Sequence, residues 1–455
     1  MMTAREDAKM KRLFCLTMAC VMVMTALVLP AWAESTETRL TDYLSALMEG
    51  HDCDALYERF DERMQAALSR EAFEALWPQL ADQCGPFKAF YGATEVSSVS
   101  GYTVLTQMLD MSYVDLICTL SLDDAGAVAG LYFNVCEIPE TVPSAAPVSV
   151  TEETVSVGER PWRLPGTLLM PESDKPVPAV VLVQGSGATN RDEHIYSVRP
   201  FRDIANALSA RGIAVLRYDK RTYVYPREMT TGARFRTLTV EEEVIEDAIY
   251  AGQLLAQDSR IDPDRVYILG HSLGAMLAPR IVSESGNLFH GMILACGTNR
   301  SFLEVLLRQA RDADYITEKQ REKLLKDGQA IYGMTEEETK TAKFDEVYDY
   351  YYWEMLQHPT AAEFLKELQR PTLIINGSRD IQVIEEEGRE TWEQALDIDA
   401  PWLSCYWTDV NHLMMRPQVS DAVKGTVGEY KVDCTVAEDI TDLMADFILN
   451  TEESP

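Results

Sequence analysis

Gly270-His271-Ser272-Leu273-Gly274 is the segment whose residue types and spacing speak most directly of chemistry. A serine hydroxyl is a weak nucleophile at neutral pH, so it must be exposed, oriented and set beside a base. A tight turn between a strand and a helix does the first two. It also crowds the positions two before and two after the serine until only small residues fit. The base is sought among six histidines: His51, His194, His271, His290, His358 and His412. Asp380 and Asp409 precede the last of these and are the candidates to orient its ring and stabilise the imidazolium that forms. Charge developing on a carbonyl oxygen needs N–H donors already in place. The backbone of Leu273 offers one, and Gln184-Gly185-Ser186-Gly187 offers a second, Ser186, on a loop whose glycines let the backbone approach a substrate. A phosphate loop is the competing reading of those glycines. It fails because neither G-x-x-x-x-G-K-[ST] nor a full G-x-G-x-x-G occurs. This chemistry requires no metal and no organic cofactor.

The elements that must position these groups follow from hydrophobic period. Beyond residue 150 the chain alternates short apolar strands with helices: strand 179–183, helix 204–210, strand 213–218, helix 240–256, strand 266–269, helix 273–282 and strand 292–295. Strands without polar alternation are buried on both faces, as in a parallel sheet covered by helices. A charged, mainly helical stretch over 298–368 interrupts the rhythm and is expected to cap the sheet's carboxyl edge. Strands at 372–375 and 402–407 and a helix over 437–449 complete the series. In the insert, Tyr348, Tyr351, Tyr352 and Met355 share a helical face, either as packing core or as the wall of a substrate pocket. Residues 37–84 carry helical periodicity (Leu40, Tyr43, Leu44, Leu47). Residues 113–122 and 128–138 alternate as strands around an Asp123–Gly126 turn, giving a small α+β domain. A Pro-rich linker over 139–150 separates the two parts.

Within this layout Ser272 lies between strand 266–269 and helix 273–282. His271 adjoins the nucleophile and points away from the elbow, and His51 lies in the other domain. Among the histidines only His412 sits in a loop after the last strand, as the chain order nucleophile, acid, histidine requires. Asp380 leaves the end of the preceding strand and is preferred as the acid. Asp409, three residues from His412, is assigned to shaping that loop.

These segments together resemble the α/β-hydrolases of the bacterial secreted esterase and serine-aminopeptidase-like group. The matching pieces are Gln184-Gly-Ser-Gly187 with Asn190-Arg-Asp-Glu193, Arg217-Tyr-Asp-Lys-Arg221, Gly270–Gly274, Gly377-Ser-Arg-Asp380 and Asn411-His412. The resemblance covers about residues 150–450. It implies an α/β-hydrolase fold and acyl transfer by Ser272, His412 and Asp380 on an ester, or on a peptide bond. Gln184 stands where the family usually has His, and Thr222–Pro226 where it has a short Gly turn. Residues 37–138 look similar to a small domain of unknown function often fused ahead of such hydrolases. Asn190–Glu193 either positions the oxyanion loop through charge pairs or is a solvated loop. A reading of a different class is a hydrolase-fold binding protein without activity, suggested by the extra domain and by Gln184.

Composition narrows the partners. The 455 residues include 41 basic and 73 acidic side chains, a net charge of −32, with 46% apolar residues. Such a chain has material for a real core and repels nucleic acid and anionic lipid. Lys9, Lys11 and Arg12, the apolar run 13–29 and Ala31-Trp32-Ala33 form the three parts of a secretory signal, so the expectation is a cleaved leader over 1–33 and an exported product with no stable membrane insertion. Export makes disulfides possible. Cys53 with Cys84 and Cys118 with Cys136 are the candidate pairs, against the alternative that all seven cysteines after Ala33 are buried thiols.

Overall fold

The computed structural model describes Leu44 and residues 53–99, 101–136, 148–313, 316–420 and 423–450. The expected leader, the helical residues Leu40, Tyr43 and Leu47, His51 and most of the 139–150 linker lie outside them. Compactness divides the described chain into two units. One holds the residues up to Trp77 with Gly92–Met108 and Ile117–Phe133; the other holds Pro78–Tyr91, Leu109–Leu116 and the chain from Asn134 onward.

The N-terminal part begins with the short helices Asp54–Tyr57, Glu62–Ala67, Arg70–Glu74 and Leu76–Cys84. Asp61 and Ser69 cap two of them, accepting the N–H of Met64 and of Ala72. Four strands follow as a meander: β1 Phe87–Val99, β2 Tyr102–Met111, β3 Leu116–Leu122 and β4 Val128–Val135. Alternation decides which face is covered: Leu105, Gln107, Leu109 and Met111 on β2, and Leu116, Cys118, Leu120 and Leu122 on β3, are buried. The β3–β4 turn closes through Gly126 N–H on Asp123 O, with Gly126 at φ +80°. Neither candidate disulfide is formed: Cys53, Cys84 and Cys118 are buried free thiols, and Cys136 is half-buried.

The second sheet has eight strands. They are β5 Val150–Val157, β6 Leu164–Pro171, β7 Val177–Val183, β8 Ala214–Tyr218, β9 Ile261–His271, β10 Gly291–Ala295, β13 Thr372–Gly377 and β14 Leu403–Thr408, with a separate two-residue hairpin of β11 Lys343–Phe344 and β12 Val347–Tyr348. The order is β14-β13-β10-β9-β7-β8-β6-β5, parallel from β8 to β14, with β6 and β5 antiparallel.

Because side chains alternate across a strand, each central strand feeds two cores. Val181, Val183, Ile268, Leu294 and Ile374 point to one face, where Leu273, Leu277 and Ile281 of the helix Leu273–Glu284 cover them. Val180, Leu182, Leu269, Ile293 and Ile375 point to the other, under Phe201, Ile204 and Leu208 of Pro200–Ser209 and Ile440 and Met444 of Glu438–Asn450. Each such side chain contributes about 1.5–3 kcal/mol by leaving water. The molecule is α/β, mostly parallel, with helices on both faces, as the apolar strand pattern predicts.

One element departs from the expected rhythm, and the insert is mainly helical as expected. The 240–256 helix begins with a π-turn, Glu241–Ile245, before Glu246–Ala256 continues as α. The insert comprises Phe302–Asp312, Glu318–Ile331, Glu336–Thr339, Asp349–Met355 and Ala361–Leu368 with the β11–β12 hairpin. Of its aromatic stripe, Tyr351 and Tyr352 are buried in the same core as Leu306, Ile331 and Phe344. For these two tyrosines the packing alternative holds. Arg308 and Gln309 of the first insert helix donate to Gln382 O, at 2.5 and 2.9 Å, so this helix grips the loop leaving β13.

Candidate active site

Ser272 occupies the turn between β9 and the helix Leu273–Glu284, with φ 54° and ψ −115°. That conformation is costly for a residue with a Cβ, on the order of 1–3 kcal/mol, and persists only where its surroundings impose it. They do so through Ser272 N–H on Ala295 O at 2.9 Å and through two glycines. A Cβ on Gly270 would lie 2.2 Å from Gly274 O, and one on Gly274 would lie 2.3 Å from Val183 O. The Gly-x-Ser-x-Gly spacing is therefore a packing requirement. Ser272 does not use its hydroxyl to cap the helix it precedes, and Leu273 supplies the first helical N–H beside it.

His412 follows β14 in a loop shaped by Asn411, whose Oδ1 accepts the N–H of Leu413 at 3.0 Å and of Met415 at 3.1 Å. Asn411 is held in turn by Glu429 Oε2 at 3.1 Å. Burial pushes the Glu429 carboxyl up, but the Gly425 N–H, Asn411 and Arg379 together hold it below the usual range. Gly377 lets this loop lie against the end of β13, since a Cβ there would sit 2.0 Å from Val410 O.

Asp380 leaves that end of β13, its side chain fully buried. Its Oδ1 accepts the N–H of Gln382 and of Val383, both at 2.8 Å, and its Oδ2 lies 2.7 Å from His412 Nδ1. A carboxylate so held fixes the imidazole orientation and leaves the other ring nitrogen for proton transfer. Asp409 is exposed and bonded to Arg416 Nε at 2.7 Å, so it shapes the loop, as expected.

The remaining described histidines have other work. His358 pairs with Glu354 in the insert at 2.6 Å. His194 bonds Tyr196 O, and burial with Arg199 nearby holds it down at about 3. His290 meets the Tyr267 ring edge to face. His271 is buried beneath the elbow, its Nε2 2.8 Å from His412 O. Its Nδ1 lies 2.8 Å from Glu193 Oε2, an ion-pair approach off the line of an aligned hydrogen bond. Burial alone would depress His271, but the charge and proximity of Glu193 and the His412 carbonyl outweigh it and raise the imidazole. His271, Cys296 and His412 present ligand atoms within 4.8 Å of one another. His271 and His412 are already committed to the contacts just described.

The glycine loop after β7 runs against Ser272: a Cβ on Gly185 would lie 3.1 Å from Ser272 Cβ. Ser186 is exposed at its tip. Gln184, the departure from the family pattern, is buried and donates through Nε2 to Tyr218 O, clasping β7 to β8. Asn190–Glu193 is no solvated loop. Glu193 is buried and accepts Gly185 N–H at 2.6 Å, Arg191 grips Asp219 with Nη2–Oδ2 at 2.7 Å, and Asp192 pairs with Arg217. Lys220 is buried too, its Nζ 2.7 Å from Gly185 O and 2.7 Å from Glu243 Oε1. Of the two readings of Asn190–Glu193, the charge-pair one holds, whereas the individual roles of Lys220 and Glu429 escape a sequence reading because charged residues ordinarily signal solvent.

A profile described as alpha/beta hydrolase family matches residues 180–424. Esterase EstD of Thermotoga maritima is 33% identical over 400 residues, covering 84% of this chain and 88% of its own. Among solved structures, Est1E from Butyrivibrio proteoclasticus aligns with a TM-score of 0.40 and 14% identity over 65% of this chain and 98% of its own. Pyrococcus horikoshii acylaminoacyl peptidase aligns with a TM-score of 0.43 and 12% identity over 80% and 57%. A profile spanning more than half the chain and a relative one-third identical along most of its length agree with the sheet order, and the chain belongs to the alpha/beta hydrolase family.

Proposed function

We propose that this chain is an exported serine hydrolase that cleaves carboxylic esters through Ser272, His412 and Asp380. The observation that carries the reading is the buried His412–Asp380 contact of 2.7 Å at the sheet edge that also bears the strained Ser272 turn. The likeness to esterase EstD favours an ester as substrate. The basic, apolar and Ala-x-Ala segments of residues 9–33 support export.

His412 takes the proton of the Ser272 hydroxyl as its oxygen attacks the ester carbonyl. The oxyanion rests on the N–H groups of Leu273 and Ser186. Collapse expels the alcohol, which receives the proton from His412. Water, deprotonated by the same imidazole, then attacks the acyl-enzyme and releases the acid, returning the proton to Ser272.

Ser272→Ala and His412→Ala are each expected to lower kcat on a nitrophenyl ester by about 10⁴–10⁶, and a fluorophosphonate probe should label the wild type at Ser272. Retention of a tenth of the wild-type rate by Ser272→Ala would refute the assignment. Rates on aminoacyl nitroanilides, run in parallel, separate ester from peptide cleavage.

A further inference from the structure

The loop that would hold the oxyanion is clamped by two buried side chains of opposite charge. Glu193 Oε1 accepts Gly185 N–H at 2.6 Å, so that donor is already taken and the next N–H along the chain is Ser186's. The carbonyl of Gly185 belongs to the same peptide unit as the Ser186 N–H, and Lys220 Nζ holds that carbonyl at 2.7 Å. The Gly185–Ser186 bond is trans, for the one cis bond among the described residues is Arg160–Pro161. In a trans unit, C=O and N–H point in opposite directions. A cation fixed on the carbonyl therefore fixes the direction of the N–H, away from Lys220. It also draws electron density from the amide, which makes the N–H a stronger donor. The unit stands against the nucleophile, since Gly185 leaves no room for a Cβ beyond 3.1 Å from Ser272 Cβ.

We infer that Lys220 is a positioning residue that aims and polarises the Gly185–Ser186 peptide, so that the Ser186 N–H meets the charge developing on the substrate oxygen. Burying an amine with, among the described residues, a carboxylate and one carbonyl as its bonded partners is expensive. A role in transition-state stabilisation accounts for its presence, where an apolar side chain would pack at lower cost. The inference rests on the serine-hydrolase reading above and deepens its second oxyanion donor, which that reading leaves without a support.

The test compares wild type, Lys220→Met and the double variant Lys220→Met with Glu243→Gln. The double variant removes both buried charges together, so that Glu243 is not stranded if the single variant fails to fold. Three quantities are read on folded protein: kcat, KM, and the inhibition constant of an aryl trifluoromethyl ketone, which adds to a nucleophilic serine to give an oxyanion. Expected is a fall in kcat of about 10- to 100-fold, below the full loss of one oxyanion donor because the N–H is misdirected and not removed. KM should stay within about threefold and affinity for the ketone should fall in parallel with kcat. A folded variant with kcat within about threefold of wild type overturns the inference, as does a loss of kcat without loss of ketone affinity. Failure of the underlying reading looks different: wild type itself would then resist fluorophosphonate labelling and turn over no ester.

Discussion

Ser272 holds a positive φ that its two flanking glycines and one backbone hydrogen bond enforce, so strain is stored at the one residue whose hydroxyl must stand clear of the sheet. The carboxylates near His412 divide their duties by burial. Asp380 is sealed against the imidazole, whereas Asp409 faces solvent with Arg416. Asp380→Asn is accordingly expected to cut kcat about 10⁴-fold by favouring the wrong tautomer, while Asp409→Asn stays within twofold. Comparable losses from both substitutions would show that the acid has been misassigned. Ser272, His412 and Asp380 were readable in the sequence as the proposed triad because each sits in a loop announced by a strand or by glycine. The supports were legible only in part: Asn190–Glu193 offered charge pairs or a solvated loop as equal readings, and nothing in the local pattern of Lys220 or Glu429 separates a buried clamp from a solvated turn.

Elements were legible in proportion to how thoroughly they are buried. β7 and β10 are apolar end to end and announce themselves, as does β8 up to Arg217. β5 carries Thr151-Glu-Glu-Thr154 at the sheet rim, and β6 begins Leu164-Pro-Gly166, so polar and turn-forming residues hid both. β1 includes the small and polar run Gly92–Ser98, which conceals its pairing. The π-turn at Glu241–Ile245 leaves no mark in an apolar period. Insert helices carry start signals in their side chains: Ser301 accepts Glu304 N–H at 3.3 Å while Glu304 Oε2 accepts Ser301 N–H at 2.9 Å. Ser301→Ala should cost about 1 kcal/mol, read as a lower urea midpoint with an unaltered slope. An unmoved midpoint would mean that packing alone starts this helix.

At the scale of the whole molecule, the balance of buried acids sets the pH response. Burial, the largest cause in each case, pushes Asp203, Asp247 and Asp349 up to about 6 and Glu241 up to about 7. Unfolded, these carboxyls titrate near 4. The folded chain therefore binds more protons across the interval, and the stability they contribute is full below about pH 4 and is lost as pH rises through about 6–7. His194, buried and held at about 3, works in the opposite sense and weakens folding as pH drops below about 6.5. His290, lowered by burial, adds to that. Four carboxyls outweigh two imidazoles, and protonation also relieves the self-repulsion of a net charge of −32. The midpoint of thermal unfolding should be higher at about pH 5.5 than at about pH 8, and a scan showing the reverse would contradict this balance. The sheet order has its own consequence for the site. The imidazole hangs from β14, a rim strand with a neighbour on one side alone, whereas the carboxylate belongs to the strand inside it. The β13–β14 ladder, together with the His271 contact to His412 O, sets the imidazole against the carboxylate. For the proposed triad, the pairing of β13 with β14 is therefore part of what holds acid and base together.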